Sequence, residues 1–315
     1  MKNFIVVVCL VLLCAAPVCA QNLEPVRALS PQAAALGGYH AAAPQGLDSI
    51  FSNPAGFASQ DDELLVARLS ANLSGPVFDI ANAVFSGNSD MLALVAGLVD
   101  NKGRLFLRAD IDGPLAFGYV GKGLGFGLFN RSVVALNARS LLSASLAMHE
   151  ELLLTGGYAH RFELGAHNLD LGLSAKGFLR MGYAMSGTLN DLVTALGLVM
   201  AAPDLFDTSV PFQTATGLGI DVGVLWTAPF GLSVGFAARD AYTAALVTTY
   251  SSFKDFRDSP STSKIGGPEA SVASADLSLG LAYRFPFVFL SNLGTSLVLM
   301  LDYNDFLNLL APIPR

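Results

Sequence analysis

Beyond residue 19 this 315-residue sequence contains no cysteine; its three thiols are Cys9, Cys14 and Cys19. Disulfides, thiolate nucleophiles and cysteine metal ligands are therefore excluded from residues 21–315. Charge is also scarce: only 14% of residues are charged, and the formal net charge is −7. An acidic balance without a basic cluster argues against a nucleic-acid partner. Long apolar runs are missing as well. A membrane-spanning helix needs about 20 consecutive apolar residues, but the longest run after the first 20 residues, Met91 to Val99, has nine. There is no glycine-rich phosphate loop, no Gly-x-Ser-x-Gly elbow and no helix with paired histidines. The four histidines (His40, His149, His160, His167) are scattered. No enzyme activity, cofactor or metal site is expected from these residues.

What is present is hydrophobicity delivered in short pieces: 52% hydrophobic residues, 31 glycines and a mean hydropathy of +0.51. Residues 1–20 read as an export signal. Lys2 supplies the positive start, Phe4 to Leu13 the apolar stretch, and Val18-Cys19-Ala20 the cleavage site before Gln21. A lipoprotein signal is the weaker reading, because Leu13 and Val18 precede Cys14 and Cys19 where a small residue is required.

Further on, apolar and mixed positions alternate with a period of two. Leu169, Leu171, Leu173, Ala175, Gly177 and Leu179 alternate with Asp170, Gly172, Ser174, Lys176, Phe178 and Arg180. Leu218, Ile220, Val222, Val224 and Trp226 alternate with Gly219, Asp221, Gly223 and Leu225. The same dyad runs through 104–111, 232–239, 277–285 and 297–304. One face is wholly apolar and often ends in an aromatic residue; the other mixes small residues with isolated charges. The first suits lipid and the second an enclosed hydrated lumen. Strands in hydrocarbon must satisfy every backbone group within the protein. The reading is an all-β transmembrane antiparallel barrel. A soluble β-sandwich would show the same alternation, but its polar face would carry more lysine and glutamate than this one does.

Residues 21–60 differ, being alanine-rich and punctuated by Gly37-Gly38, Pro44, Gly46 and Asn53-Pro54-Ala55-Gly56. They read as helical turns and loops, a hatch for the lumen or its mouth. The organisation is thus a signal at 1–20, a hatch at 21–60 and a barrel at 61–315. Thirteen strands are expected: 62–72, 76–86, 91–99, 104–111, 114–121, 123–137, 140–149, 150–163, 167–186, 213–228, 231–249, 275–287 and 295–305. Single-chain barrels of this kind carry an even number, so either the count is off by one or the sequence stops one strand short; the second is favoured, and about fourteen then complete the barrel. Glu163–Asn168 and Thr227–Gly231 read as short periplasmic turns. Two long inserts read as a helix from Leu189 to Ala202 and a mobile polar loop at 251–274.

The segment Ala35 to Ala58, with Gly37, Gly38 and the Asn53-Pro54-Ala55-Gly56 turn, resembles the start of FadL-type outer-membrane proteins. That superfamily includes the OMPP1/TodX hydrocarbon transporters, PorV-like barrels and spirochaete relatives. Glu151 to Arg161 followed by Leu169 to Lys176 is similar to its middle. The resemblance implies a fourteen-strand barrel with an N-terminal hatch in the bacterial outer membrane. It implies passive uptake of hydrophobic molecules such as long-chain fatty acids, or, in the PorV-like branch, a non-transporting secretion adaptor or surface protein.

A fatty acid needs an apolar pocket, a cation for its carboxylate and a movable obstruction. The register puts Phe106, Phe129 and Phe178 on the lumen side, together with Arg104, Arg108, Arg161, Lys176, Arg180, Arg239 and Arg284. Asp110, Glu163, Asp170, Asp221 and Asp302 share that side, so most of these cations are expected to pair with carboxylates. Partners are then outer-membrane lipid and a hydrophobic small molecule; a protein partner is not specified.

Overall fold

The computed structural model describes residues 21–23 (backbone), 30–76, 78, 104–140, 142–188, 190–191, 211–286 and 296–304. The signal segment at 1–20, nearly all of the expected strands at 76–86 and 91–99, and nearly all of the expected helix at 189–202 lie outside the described residues.

Long antiparallel strands make up the bulk of the fold, connected in sequence order. Five short pieces lead or follow the main run: β1 (Gln21–Leu23), β2 (Glu63–Leu65), β3 (Ser70–Ser74), β10 (Glu269–Ala273) and β12 (Val298–Asn304). The wall itself is β4 (Leu105–Gly121), β5 (Leu124–Ser140), β6 (Ser143–Leu164), β7 (His167–Gly187), β8 (Phe212–Thr227), β9 (Leu232–Tyr250) and β11 (Asp276–Arg284). Neighbours follow the order β1-β10-β9-β8-β7-β6-β5-β4-β2, with β3 also on β4, and β11 between β9 and β12. Every pairing is antiparallel except the parallel β1–β10 contact. The sheet curls into a half-barrel. Among the described residues no pairing joins β12 to β2 or β3.

Three expected boundaries shift. The pieces 104–111 and 114–121 are one strand, β4. Gly113, Pro114 and Leu115 bulge opposite the single Asn130, and Gly113 takes the positive φ of 98°. The pieces 140–149 and 150–163 are also one strand, β6. The adjacent acids Glu150 and Glu151 suggest a break, but they point to opposite faces, each to its own partners. Conversely, 62–72 divides into β2 and β3. The insert at 251–274 is more ordered than its composition suggests: it forms α3 (Phe253–Asp258), an isolated bridge from Tyr250 to Lys264, and β10. Ser252 caps α3 by accepting from the Asp255 amide, and Phe253 and Phe256 join Phe212 and Tyr250 in an aromatic cluster.

Alternation in burial follows the sequence dyad. Along β7, Asp170, Gly172, Ser174, Lys176 and Phe178 are buried while Leu171, Leu173 and Ala175 are exposed. Along β8, Gly219, Asp221, Gly223 and Leu225 are buried while Leu218, Ile220 and Val222 are exposed.

The exposed face carries a bounded apolar band. On β6 it runs from Leu152 to Phe162, and it stops at Glu150, whose carboxylate accepts from Asn130 Nδ2 (2.8 Å) and from Ser132 Oγ. Thr214 on β8 and Thr248 on β9 sit opposite each other near the same level, two and three strands further along. At the short-turn end the band closes on aromatics and histidines. His160 meets Phe162 edge-on at 4.7 Å, and His167 stacks on Trp226 at 5.4 Å. Above the polar line the alternation inverts: Leu105, Leu107, Leu136, Ala138, Ala144 and Leu146 of the outer face are buried.

The concave face holds the hatch. Its elements are α1 (Pro31–Ala35), a 3-10 turn at Gly46–Asp48, α2 (Ser49–Ser52) and a 3-10 turn at Pro54–Ala58. Ser30 caps α1 through the Ala33 amide, with Pro31 preorganised at the first helical position. Gly37 and Gly38 end it at φ of 83° and 131°. Leu47, Ile50, Phe51 and Phe57 of the hatch pack on Ala116, Val120, Phe129, Leu153, Ala159, Phe178 and Ala245 of the wall. Burial of a side chain of that size contributes about 1.5–3 kcal/mol.

Candidate functional site

The hatch sits directly on backbone. Gly172, Gly223, Gly235 and Gly280 belong to β7, β8, β9 and β11, with Gly172 opposite Gly223 and Gly235 opposite Gly280. A Cβ at Gly172 would strike Pro54 and Ala55, one at Gly223 the Asn53 carboxamide, and one at Gly235 or Gly280 the Ala41–Ala42 backbone. This glycine floor lets Asn53 reach the wall. Its Nδ2 donates to Ala41 O (2.7 Å), Val224 O (3.2 Å) and Phe236 O (3.4 Å), and its Oδ1 accepts from the Ala55 amide (3.0 Å). Asn53 is fully buried, with Pro54, Ala55 and Gly56 beside it. The asparagine turn is therefore a wall anchor as well as a turn former.

Beside the floor lies a buried charge cluster. Lys176 Nζ is 2.8 Å from Asp221 Oδ1 and 2.6 Å from Asp240 Oδ1. The bulge between β8 and β9 makes this possible: Asp240 takes φ of 51°, and its amide donates to Asp221 Oδ1 at 2.6 Å. Thr243 donates to Asp240 at 2.8 Å. Arg239 reaches Asp276 (2.9 Å), Ser278 Oγ and Ser52 O (3.4 Å), so it ties β9, β11 and hatch together. A cavity of about 10 Å³ separates this cluster from Ile50, Phe51, Leu153 and Thr155. That is room for about one water.

The remaining cations named from the sequence are placed as follows. Arg161 makes a two-pronged pair with Asp170 at 2.7 and 2.8 Å. Arg180 pairs with buried Glu151 at 2.8 Å, and Arg108 with Asp110 at 2.8 Å, where Arg131 joins. Arg104 and Arg284 are exposed at strand ends. Phe129 and Phe178 are 4% exposed within the hatch–wall core, whereas Phe106 is 48% exposed beyond the Arg108–Asp110 pair. Lys176 and Arg239 line one cavity; the other cations lie apart from it. Glu163, counted among the lumen carboxylates, is exposed at the turn. Glu151, Asp240 and Asp276 are not among the carboxylates that the sequence assigns to the lumen. Glu151 shares the parity of Leu153 and Thr155, and Asp276 that of Ser278, so period counting through β6 and β11 finds both; Asp240 depends on the bulge.

In the hatch, Tyr39 and Asp48 sit near each other. Burial pushes the Asp48 carboxyl up, opposed by the Ser30 hydroxyl that donates to it and by Arg68 at 3.8 Å. Burial likewise raises the Tyr39 phenol, with the Asp48 charge adding to it. No group of His, Cys, Asp and Glu suited to a metal ion occurs among the described residues. Comparison with protein-family models, with curated proteins and with solved structures finds no match.

Proposed function

We propose that this chain is an outer-membrane β-barrel of FadL type, whose hatch gates passive uptake of hydrophobic, amphipathic molecules such as long-chain fatty acids. The observation that carries the membrane reading is the bounded band on the outer face. Eleven residues from Leu152 to Phe162, at about 3.4 Å each and tilted by about 40°, rise about 28 Å, close to the apolar height of an outer-membrane barrel. Aromatic residues at one edge and hydrogen-bonded polar residues at the other support the same assignment. In this reading the curled sheet closes with further strands to about fourteen, and residues 1–20 direct export.

Support for uptake comes from the inner face. Apolar Ile50, Phe51 and Leu153 confront Lys176 and Arg239 across one small cavity. Lifting the hatch would open an apolar surface with cations at its border, the two requirements of a fatty-acid site. Among the described residues the hatch is held by packing, hydrogen bonds and ion pairs, and its displacement breaks none of the chain's covalent bonds. The described state is the closed one. A second reading, a permanently plugged adaptor or surface protein, draws support from the pairing of Lys176 and Arg239 with three carboxylates and from the water-sized cavity.

The test is binding and liposome uptake of a labelled long-chain fatty acid by the full chain and by a variant lacking residues 21–58. Saturable binding, with faster uptake once the hatch is removed, is expected. Absence of binding in both forms, each shown to be folded and inserted, refutes uptake and favours the adaptor.

A further inference from the structure

Both ends of the curled sheet are held by the hatch. Among the described residues, β12 at one end pairs with β11 over seven residues, and β2 at the other pairs with β4 over three. Asp302 of β12 turns inward. Its Oδ1 accepts from the Ala41 amide at 2.8 Å, and its Oδ2 lies 2.6 Å from His40 Nδ1. Gly280 leaves the space that this carboxylate fills, and Ala42 rests on the same glycine. At the other end Glu63 of β2 turns inward as well. Its Oε2 accepts from the Leu47 amide at 3.0 Å, in space that a Cβ at Gly46 would occupy. Gln60, just before β2, accepts from the Gly46 amide at 2.8 Å and donates to Pro44 O at 3.1 Å. Arg68, just after β2, reaches Asp48 at 3.8 Å. One stretch of chain, residues 40–47, thus grips both end strands through backbone amides on carboxylates.

We propose that residues 40–47 form a tie that binds β12 to β2 and sets how far the sheet curls. Length carries the argument. From β12 through β11, β9, β8, β7, β6, β5 and β4 to β2 there are eight inter-strand steps, about 38 Å in a flat sheet. Six residue steps join Ala41 to Leu47, at most about 22 Å when fully extended. The 3-10 turn that begins at Gly46 shortens that reach further. Hydrogen bonds through two short side chains do not make up the difference, so both grips close together only on a curled sheet. Twist bends any sheet of this size; the tie fixes one separation of its ends. It also gives β2, too short to be held firmly by its ladder, a second attachment. Asn53 seats the hatch on β8 and β9 by separate bonds, so either grip can open while that seat holds. This inference concerns the wall and stands whether or not a solute passes.

The experiment uses the full chain in detergent with Cys9, Cys14 and Cys19 changed to serine. Spin labels go on Leu301→Cys of β12 and Leu64→Cys of β2, where the native side chains are 70% and 61% exposed. Double electron–electron resonance reads the distance between them, and the parent should give one narrow distribution. Asp302→Ala combined with Glu63→Ala removes both acceptors. Its distribution should be at least about twofold wider, as two charge-assisted hydrogen bonds are lost. Asp302→Asn combined with Glu63→Gln keeps an oxygen for each amide and should stay close to the parent. A second label pair, Phe126→Cys on β5 and Leu246→Cys on β9, spans four inter-strand steps of the mid-wall and should not change. An unchanged end-to-end width in the alanine protein overturns the proposal, because the ends are then held by other means. Equal widening of the mid-wall pair overturns it too, because the two carboxylates then support the whole sheet and not its ends.

Discussion

Gly223→Ala is the sharpest test of how the hatch is held. The added methyl would overlap the Asn53 carboxamide oxygen and crowd the Ala55 amide and Pro54. β8 is paired along its length on both sides, so the wall cannot retreat and Asn53 must lift. Lifting stretches the two hydrogen bonds from Asn53 to the wall, at Val224 O and Phe236 O, each worth about 1 kcal/mol, and overpacking adds about 1–3 kcal/mol. Alanine in place of glycine returns about 0.4–1 kcal/mol through the unfolded chain. The net loss is about 2–5 kcal/mol. Gly177→Ala is the control: it lies on the neighbouring strand, and its methyl would make only ordinary contact with Leu218 at 3.4 Å. That variant should be neutral or slightly stabilising. Thermal unfolding in detergent, with protease protection of residues 30–58, measures both. If Gly223→Ala unfolds and protects like Gly177→Ala, the hatch is not seated on that backbone, and the account of Asn53 fails with it.

Lys176→Met leaves Asp221 and Asp240 buried together without their cation and should lower stability by about 3–5 kcal/mol in denaturant titration. Leu173→Arg, on the outer face and 55% exposed, should cost about 2–4 kcal/mol for folding into liposomes, because it lies near mid-band; an unchanged refolding midpoint in lipid would count against the membrane assignment. Asp48 has its acidity weakened by burial, so the folded hatch binds that proton more tightly than the unfolded chain does. Its stabilising contribution is complete below the ordinary carboxylate range and fades as pH rises through the elevated folded value. Asp48→Asn should flatten that part of the hatch-protection profile, as measured by hydrogen exchange corrected for intrinsic rates.

The wall was legible because a strand buried on one side writes its two faces alternately. Asp170, Lys176, Asp221 and Gly280 fall on the inner face by parity alone. Breaks were less legible. Gly113-Pro114 and Glu150-Glu151 have turn composition, yet a bulge and a pair of opposed partners keep β4 and β6 continuous. The Asn53-Pro54 turn was visible, but its contacts with Val224 and Phe236, more than 170 positions away, follow from curvature that no local pattern records. The same holds for His40, whose partner stands on β12. Burial above the polar line runs against the dyad because parity fixes direction and leaves open what a face meets.

The row of glycines under the hatch has a consequence for variation. Hatch backbone rests there on wall backbone, with the Asn53 carboxamide and the Asp302 carboxylate in the same gap, so the fit depends on the absence of atoms at the four glycines. Enlargement at any of the four positions wedges the lid upward, while most changes on the lid's opposite surface leave the seam intact. Such a joint can keep its seal while the surfaces around it diversify, and it would withstand substitution in one direction only.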